Sequence, residues 1–346
     1  MVVIKDFNNI EINVEIEDYS FPIFCCIENL LIDTKNQFNI ELANEIWLTN
    51  DIKNINNLDL NKIKKEIGIL SYEYLLSSSN IYAYKVISNK KLIIVNDELQ
   101  QFIDFINLFC SFCLWFVKDN NTYINEVYFA WAAVSSKYSN SYSYKVDNSS
   151  VTTFTYEDIE NAVSIMQTIF NIEKIKYILP STPPLHQDDK NNIIYKSIYL
   201  ISIIRSSFDL SMKISNSCML FELFFSADSS EIVHKLSERI AFFLTNNAEQ
   251  RIKIYKCVKD AYNIRSKLMH GDCLQSSLFN RIQEVANNCD SLIRVLMYSI
   301  LSYKKVHAIF LMDNVQKNEY FERLVFGVEN SPLWDKADDF ELIING

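Results

Sequence analysis

Glycine is nearly missing from this chain: four occur in 346 residues, beside five prolines and four histidines. So few glycines leave little room for glycine-rich phosphate loops, and no P-loop, dinucleotide-binding glycine pattern or HExxH motif is found. Positive charge is also in deficit. Lys and Arg number 33 against 43 Asp and Glu, a net charge of -10, which excludes a surface that coats nucleic acid on all sides, because such binding needs a positive field. A local basic strip remains open. Long apolar runs are absent too: the longest uncharged one, Phe105 to Val117, falls well short of the ~20 residues needed to span a bilayer. The start, MVVIKDFNNIEI, lacks the basic and apolar regions of a signal peptide. A cytoplasmic chain without membrane contact is expected.

What is present is apolar mass. Hydrophobic residues make up 49% of a 40.5 kDa chain, enough for a sizeable core and more than one core usually serves, so two domains are expected. The eight cysteines, at positions 25, 26, 110, 113, 218, 257, 273 and 289, fall mostly in apolar segments. They read as reduced core residues.

The first half mixes two periodicities. Ile10, Ile12, Val14 and Ile16 alternate with Glu11, Asn13 and Glu15, the period-two pattern of a half-buried strand. IYAYKVIS and KLIIVND, joined at Asn89 and Lys90, read as a strand pair. A helix is predicted from Asn96, with Phe102, Ile106, Phe109, Cys113 and Phe116 on its apolar face. NEVYFAWAAVSSKYSNSYSYKV reads as two strands around a Ser/Asn-rich tip, and Thr155 with Asp158 stands at capping-box spacing ahead of another helix.

LPSTPPLHQDDKNN, residues 179 to 192, holds three of the five prolines beside a charged run and marks the domain boundary. Beyond it the pattern is helical almost throughout. Leu210 to Phe225 forms one predicted helix. Asp228 with Glu231, and Asn247 with Gln250, open two more. Leu278, Ile282, Val285, Cys289, Leu292, Leu296 and Ile300 trace a long last one. The fold class is α+β: a mixed α/β domain over 1–185, an antiparallel helical bundle over 190–310, and a tail over 311–346.

AYNIRSKLMHGD, residues 261 to 272, spends one of the rare histidines and one of the rare glycines at the end of a bundle helix. Gly271 suits the left-handed conformation that closes a helix. Arg265 lies one turn beyond Ala261 and Tyr262 and shares their inward face. A guanidinium aimed partly inward needs a partner or a task. A structural account of the stretch is that Arg265 satisfies a carboxylate while His270 favours the negative end of the helix dipole.

Arg265, four residues, then His270 in an all-helical domain resembles the signature of the HEPN superfamily. The wider run SCMLFELFFSADSSEIVHKLSERIAFFL with YKCVKDAYNIRSKLMHGD resembles the Apea-like HEPN group, in which a helix with an embedded Glu precedes an ending of the YNIRSKLMHG type. The resemblance covers roughly residues 190 to 305. It implies a HEPN-type bundle acting as a metal-independent endoribonuclease, needing neither metal nor cofactor. It also implies a homodimer in which two motifs face one cleft, and a part in prokaryotic defence against phage or as a toxin, with the N-terminal domain sensing a trigger or restraining the nuclease.

The residue types fit that chemistry. RNA brings its own nucleophile, the 2′-hydroxyl, so cleavage needs a proton carrier and a stabiliser of phosphate charge. Histidine is the side chain suited to carrying a proton, so His270 can move it; Arg265 offers a planar fork to the phosphorane oxygens. Ser266 and Lys267 lie inside the motif and can reach the scissile phosphate or stand solvated. Glu222, interrupting MLFELFF, can orient Arg265 or His270 or form a structural ion pair. From Glu249 to His270 the basic residues Arg251, Lys253, Lys256, Lys259, Arg265 and Lys267 face only Glu249 and Asp260, a strip suited to phosphate or simply a solvated face. The alternative reading is a non-catalytic module for dimerisation, RNA binding or antitoxin-like regulation.

Other candidates are weaker. Cys110 and Cys113 form a CxxC without a second ligand pair and read as core. His186 with Asp188 and Asp189 reads as solvated linker, and His234 and His307 fall among helical residues without catalytic company.

Overall fold

SFPIFCCIE carries apolar residues along almost its whole length, the mark of a strand covered on both faces. In a computed structural model of the chain this segment is an interior strand of an antiparallel sheet. The structure describes residues 2–5, 11–14, 20–28, 30–34, 36–43, 45–76, 81–88, 101–103, 105–106, 109–110, 113, 123–130, 133–140, 153–173, 192–207, 209–226 and 232–335. The fold is mixed α+β, a sheet-containing first part followed by a mostly helical second part. Backbone contacts divide it into two units: Met1–Ser111 with Tyr123–Ser139 and Val151–Val163, and Phe112–Thr122 with Asn140–Ser150 and Ser164–Gly346.

In the first unit, β1 (Val2–Lys5) pairs antiparallel with β2 (Glu11–Val14), so the alternating segment near the start is a strand. The main sheet uses β3 (Ser20–Glu28), β5 (Asn39–Ala43), β6 (Ile46–Thr49), β7 (Ile81–Ser88), β8 (Tyr123–Ala130) and β9 (Ala133–Asn140), in the order β5-β6-β7-β3-β8-β9. The short β4 (Leu31–Ile32) pairs in parallel with β10 (Thr153–Phe154). Pro22 lies where β3 has a ladder partner in β7 but before its pairing with β8 begins at Phe24, a position that tolerates a missing N–H. Phe24 and Cys26 project from β3 into a cluster with Tyr82, Tyr84, Ile55 and Leu75. That face is covered by α1 (Leu60–Ile67) and α2 (Ile69–Leu75), through Ile63, Tyr74 and Leu75. Ile23, Cys25 and Ile27, of opposite parity, are buried as well.

IYAYKVIS is β7, but its neighbours are β3 and β6; KLIIVND lies outside the described residues. The Ser/Asn-rich stretch expected as a hairpin tip is largely strand: β8 ends at Ala130 and β9 begins at Ala133, so SSKYSN belongs to the ladder. Its Val and Tyr suit a pleated surface, and Ser is tolerated there. Phe102, Ile106, Phe109 and Cys113, the described part of the next expected helix face, are buried. The capping box before α3 (Tyr156–Glu173) forms in both directions, the Asp158 N–H donating to Thr155 Oγ1 at 3.2 Å and the Thr155 N–H to Asp158 Oδ2 at 2.7 Å.

The helical unit contains α4 (Asn192–Ser206), α5 (Leu210–Phe225), α6 (Ile232–Leu244), α7 (Ala248–His270), α8 (Ser276–Phe279), α9 (Ile282–Ser302), α10 (Lys304–Phe310) and α11 (Asn314–Val325). Helix α5 packs against α4, α6, α7 and α9 and is buried over most of its circumference, with Met212 and Met219 exposed on the remaining face. Asp209 caps it through the Met212 N–H at 2.7 Å. Deep between α5 and α9, Lys213 Nζ meets Asp290 Oδ2 at 2.8 Å with both side chains almost wholly buried. The capping pair Asp228 and Glu231 lies outside the described residues.

Two expectations about this unit change. The long last helix does not run unbroken from Leu278: α8 ends at Phe279, Arg281 leaves helical geometry, and α9 starts at Ile282. Leu278 is buried in phase with the α9 stripe, so hydrophobic spacing alone could not show the break. Residues after Leu311, set apart as a tail, complete the core as far as they are described. Phe310 of α10 and Phe321 of α11 join Phe225 and Phe243 in edge-to-face or tilted contacts, for instance 5.4 Å between the Phe243 and Phe310 centroids. Each such pair adds about 0.5–1.5 kcal/mol beyond burial.

Candidate functional site

Helix α7 starts at Asn247, whose side chain accepts the Gln250 N–H at 3.0 Å. The Gln250 side chain does not return to the Asn247 N–H; it accepts from Thr245 Oγ1 at 3.0 Å, and Thr245 Oγ1 receives the Asn247 N–H at 3.1 Å. The helix then runs 23 residues to His270. It stops at Gly271, whose φ of +70° is the left-handed region that glycine enters without penalty. The Gly271 N–H donates to the Leu268 carbonyl at 3.2 Å and the Asp272 N–H to the Lys267 carbonyl at 2.9 Å, the paired bonds of a Schellman closure.

Near this end Arg265 emerges half-buried beside Ala261 and Tyr262. Its Nη1 donates to Oε1 of Glu222 on α5, and the Tyr262 hydroxyl reaches the same oxygen at 3.1 Å or the Cys218 carbonyl at 3.2 Å. A phenol has one proton to give, so the two acceptors share it. The guanidinium carbon stands 5.6 Å from the centre of the Tyr262 ring. Burial works against the charge on Arg265, but the hydrogen bond and charge of Glu222 outweigh it and raise its pKa. Burial and the nearby Cys218 and Glu222 push the Tyr262 phenol well above its ordinary value, and burial does the same to the Cys218 thiol. The result is a permanently cationic arginine, anchored along one edge, beside a phenol that stays neutral. Among the described residues the other edge of the guanidinium carries no hydrogen bond.

His270, one residue before the cap, is exposed and makes no hydrogen bond or ion pair among the described residues. Ser266 is exposed one turn earlier on the same face, while Lys267 pairs with Asp272 at 3.0 Å in the open. Five residues at 3.6 per turn set Arg265 and His270 about 140° apart around the helix. One chain therefore brings Glu222, Tyr262 and Arg265 together, and Ser266 with His270, but does not aim Arg265 and His270 in one direction.

Another part of the basic strip is tied down, as is a cation beside it. Arg251 lies over the rings of Phe242 at 4.1 Å and Trp334 at 5.1 Å, with its Nε on the Thr245 carbonyl at 2.7 Å. Burial lowers its pKa, and it serves to pack the bundle. Arg281 pairs with Glu284 at 2.9 Å and with Asp260 at 3.3 Å, from the turn that separates α8 from α9.

His234 does have polar company: its Nδ1 lies 3.1 Å from the Tyr255 hydroxyl of α7, and its Nε2 3.6 Å from Glu238 one turn along α6. Tyr262 is legible in the sequence only as an apolar-face residue; its place in the cluster comes from the packing of α5 on α7. Cys110 and Cys113 are buried, as core residues are, and His186, Asp188 and Asp189 lie outside the described residues. Among the described residues no three His, Cys, Asp or Glu side chains gather in a way that could hold a metal ion, and no helix is long and apolar enough to cross a membrane. A comparison with protein-family models finds no match, and comparisons with curated proteins and with solved structures find none either.

Proposed function

We propose that the helical unit is a HEPN-type bundle of the Apea-like kind, and that it is a metal-independent endoribonuclease working as a homodimer. The observation that carries this reading is the end of α7: an arginine held by Glu222 along one edge and open along the other, and within two turns an exposed, unpartnered imidazole, in a run that resembles the HEPN motif. In this reaction His270 takes the proton of the RNA 2′-hydroxyl as that oxygen attacks the adjacent phosphorus. The bond to the 5′-oxygen breaks, the departing oxygen gains a proton, and a 2′,3′-cyclic phosphate remains. The free edge of Arg265 stabilises the charge that builds on the phosphorane oxygens. Glu222 and Tyr262 position that fork, and Ser266 lies on the face of His270.

The angular separation of Arg265 and His270 is why the reading includes a second copy: the arginine of one protomer and the histidine of its partner can face one phosphate where those of one chain diverge. The N-terminal unit then senses a trigger or restrains the nuclease, in keeping with a defence or toxin role. The experiment is complementation. Arg265→Ala and His270→Ala proteins are each expected to leave RNA intact in chelator-containing buffer, and their mixture is expected to regain cleavage ending in cyclic phosphate. Undiminished cutting by His270→Ala refutes the assignment.

The same ion pair favours a second reading, since an Arg265–Glu222 contact this buried also suits a purely structural role in a binding module. That reading expects no cleavage by the parent protein under any condition.

A further inference from the structure

Beyond the motif, one exposed face runs the length of α7. Ile252, Lys256, Lys259, Asn263, Ser266 and His270 are all solvent-exposed and step by four, three, four, three and four residues, so they form a single ribbon. At its far end from His270 the ribbon opens into a groove of about 720 Å³ between α7 and the start of α9. Lys253, Lys256 and Lys259 stand on its rim with Arg281, while Ile252 supplies an exposed apolar surface and the buried Val285 lies beneath. Ile252 is 55% exposed, a large apolar side chain left open to water inside a ring of cations. Two acids line the groove as well, Glu249 and Asp260, but Asp260 is engaged by Arg281 at 3.3 Å. Among the described residues the three lysines make no ion pair. With Glu249 they are the charges on this face that make no ion pair among the described residues, three positive against one negative, in a chain whose net charge is -10.

We infer that this groove holds the RNA strand that flanks the scissile phosphate. The choice of RNA rests on the ribonuclease reading; the site is separate from the residues assigned to chemistry. Ammonium groups meet backbone phosphates as point charges, as in the basic grooves that track single strands without sequence preference, and Ile252 offers an apolar surface to an unstacked base. A groove of this size accepts a nucleotide-sized portion of the strand. From Lys256 to His270 the helix rises about 21 Å, so the strand follows the ribbon for several nucleotides before it reaches the imidazole. Arg251, although on the same helix, takes no part because it is stacked between aromatic rings.

The test measures binding of a mixed-sequence single-stranded RNA oligonucleotide to the full chain carrying His270→Ala, which keeps the RNA intact, with and without Lys253→Ala, Lys256→Ala and Lys259→Ala together. All three lysines are exposed, so the fold is expected to persist, and a thermal melt checks it. The slope of log affinity against log salt is expected to shrink by about 2, since each phosphate that is no longer neutralised removes close to 0.7, with binding roughly tenfold weaker or more at low salt. An unchanged slope overturns the inference, as does equal affinity of the unmodified groove for polyglutamate. If the parent cuts RNA while the triple variant keeps its slope, the groove is wrong and the nuclease reading stands. If the slope falls but the parent never cuts, the groove stands as an RNA site and the nuclease reading fails.

Discussion

Replacing Glu222 by alanine removes the anion that anchors Arg265, and the cost can be bracketed from burial. The Arg265 and Glu222 side chains are 25% and 28% exposed, so each has left most of its water without being sealed in. Exposed pairs contribute about 0.2–1 kcal/mol, and breaking a fully buried pair costs about 3–5 kcal/mol. Partial exposure discounts the upper figure, which places each single truncation near ~2 kcal/mol and the coupling between the two at about 1–2 kcal/mol. Tyr262 does not add to the loss, because its hydroxyl keeps the Cys218 carbonyl at 3.2 Å. The cycle comprises the parent, Glu222→Ala, Arg265→Ala and the double variant. It is best read by native-state hydrogen exchange of the α7 amides, since a chain of two units need not melt in one step. The double variant is expected to be destabilised by clearly less than the sum of the singles. Effects that add to within about 0.3 kcal/mol would show that the pair holds nothing and that each residue acts alone.

Asp290→Asn takes the anion from the buried Lys213 pair and is expected to cost about 3–5 kcal/mol in denaturant titration, whereas Lys213→Met with Asp290→Leu recovers most of that loss. His307 is half-buried with an unbonded Nε2, and burial lowers its pKa below the ordinary 6.5. Below that pH the unfolded chain binds the proton more readily, so stability is expected to fall as pH drops through about 6.5 toward the folded value, and His307→Gln removes this part of the slope in pH-dependent melts. Gly271→Ala forces a side chain into left-handed backbone and is expected to cost about 1 kcal/mol, with Gly271→Asn costing less, measured by α7 exchange rates.

Where one residue's chemistry decides local structure, the sequence is readable. Gly271 closes α7, Asp158 with Thr155 opens α3, and Leu210–Phe225 is one helix with the expected bounds. The inward tilt of Arg265 follows from its spacing to Ala261 and Tyr262, and the carboxylate it needs is Glu222, near the end of another helix. What cannot be read depends on contacts between distant segments. β3 escapes a search for alternation because SFPIFCCIE is buried on both faces. α11 passes for part of a tail because the partners of Phe321 lie in α5, α6 and α10. The pairing of Lys213 with Asp290, 77 positions apart, leaves no pattern along the chain at all.

The electrostatics of α7 carry the same lesson into function. Counting charges along the helix gives six basic residues against two acidic, yet the fold withdraws half of them. Arg251 is spent on aromatic rings, Arg265 on Glu222 and Lys267 on Asp272. Arg281, from outside the helix, joins the groove already neutralised by Glu284 and Asp260. The field that a polyanion meets therefore comes from Lys253, Lys256 and Lys259, offset in part by Glu249; the three lysines lie within about 9 Å of helix axis, close to one Debye length at physiological salt. Charges that close act together on a strand lying over them and fade together as salt rises. An acidic chain can thus attract RNA at one place while repelling it elsewhere, and that attraction is steep in ionic strength because so few cations supply it.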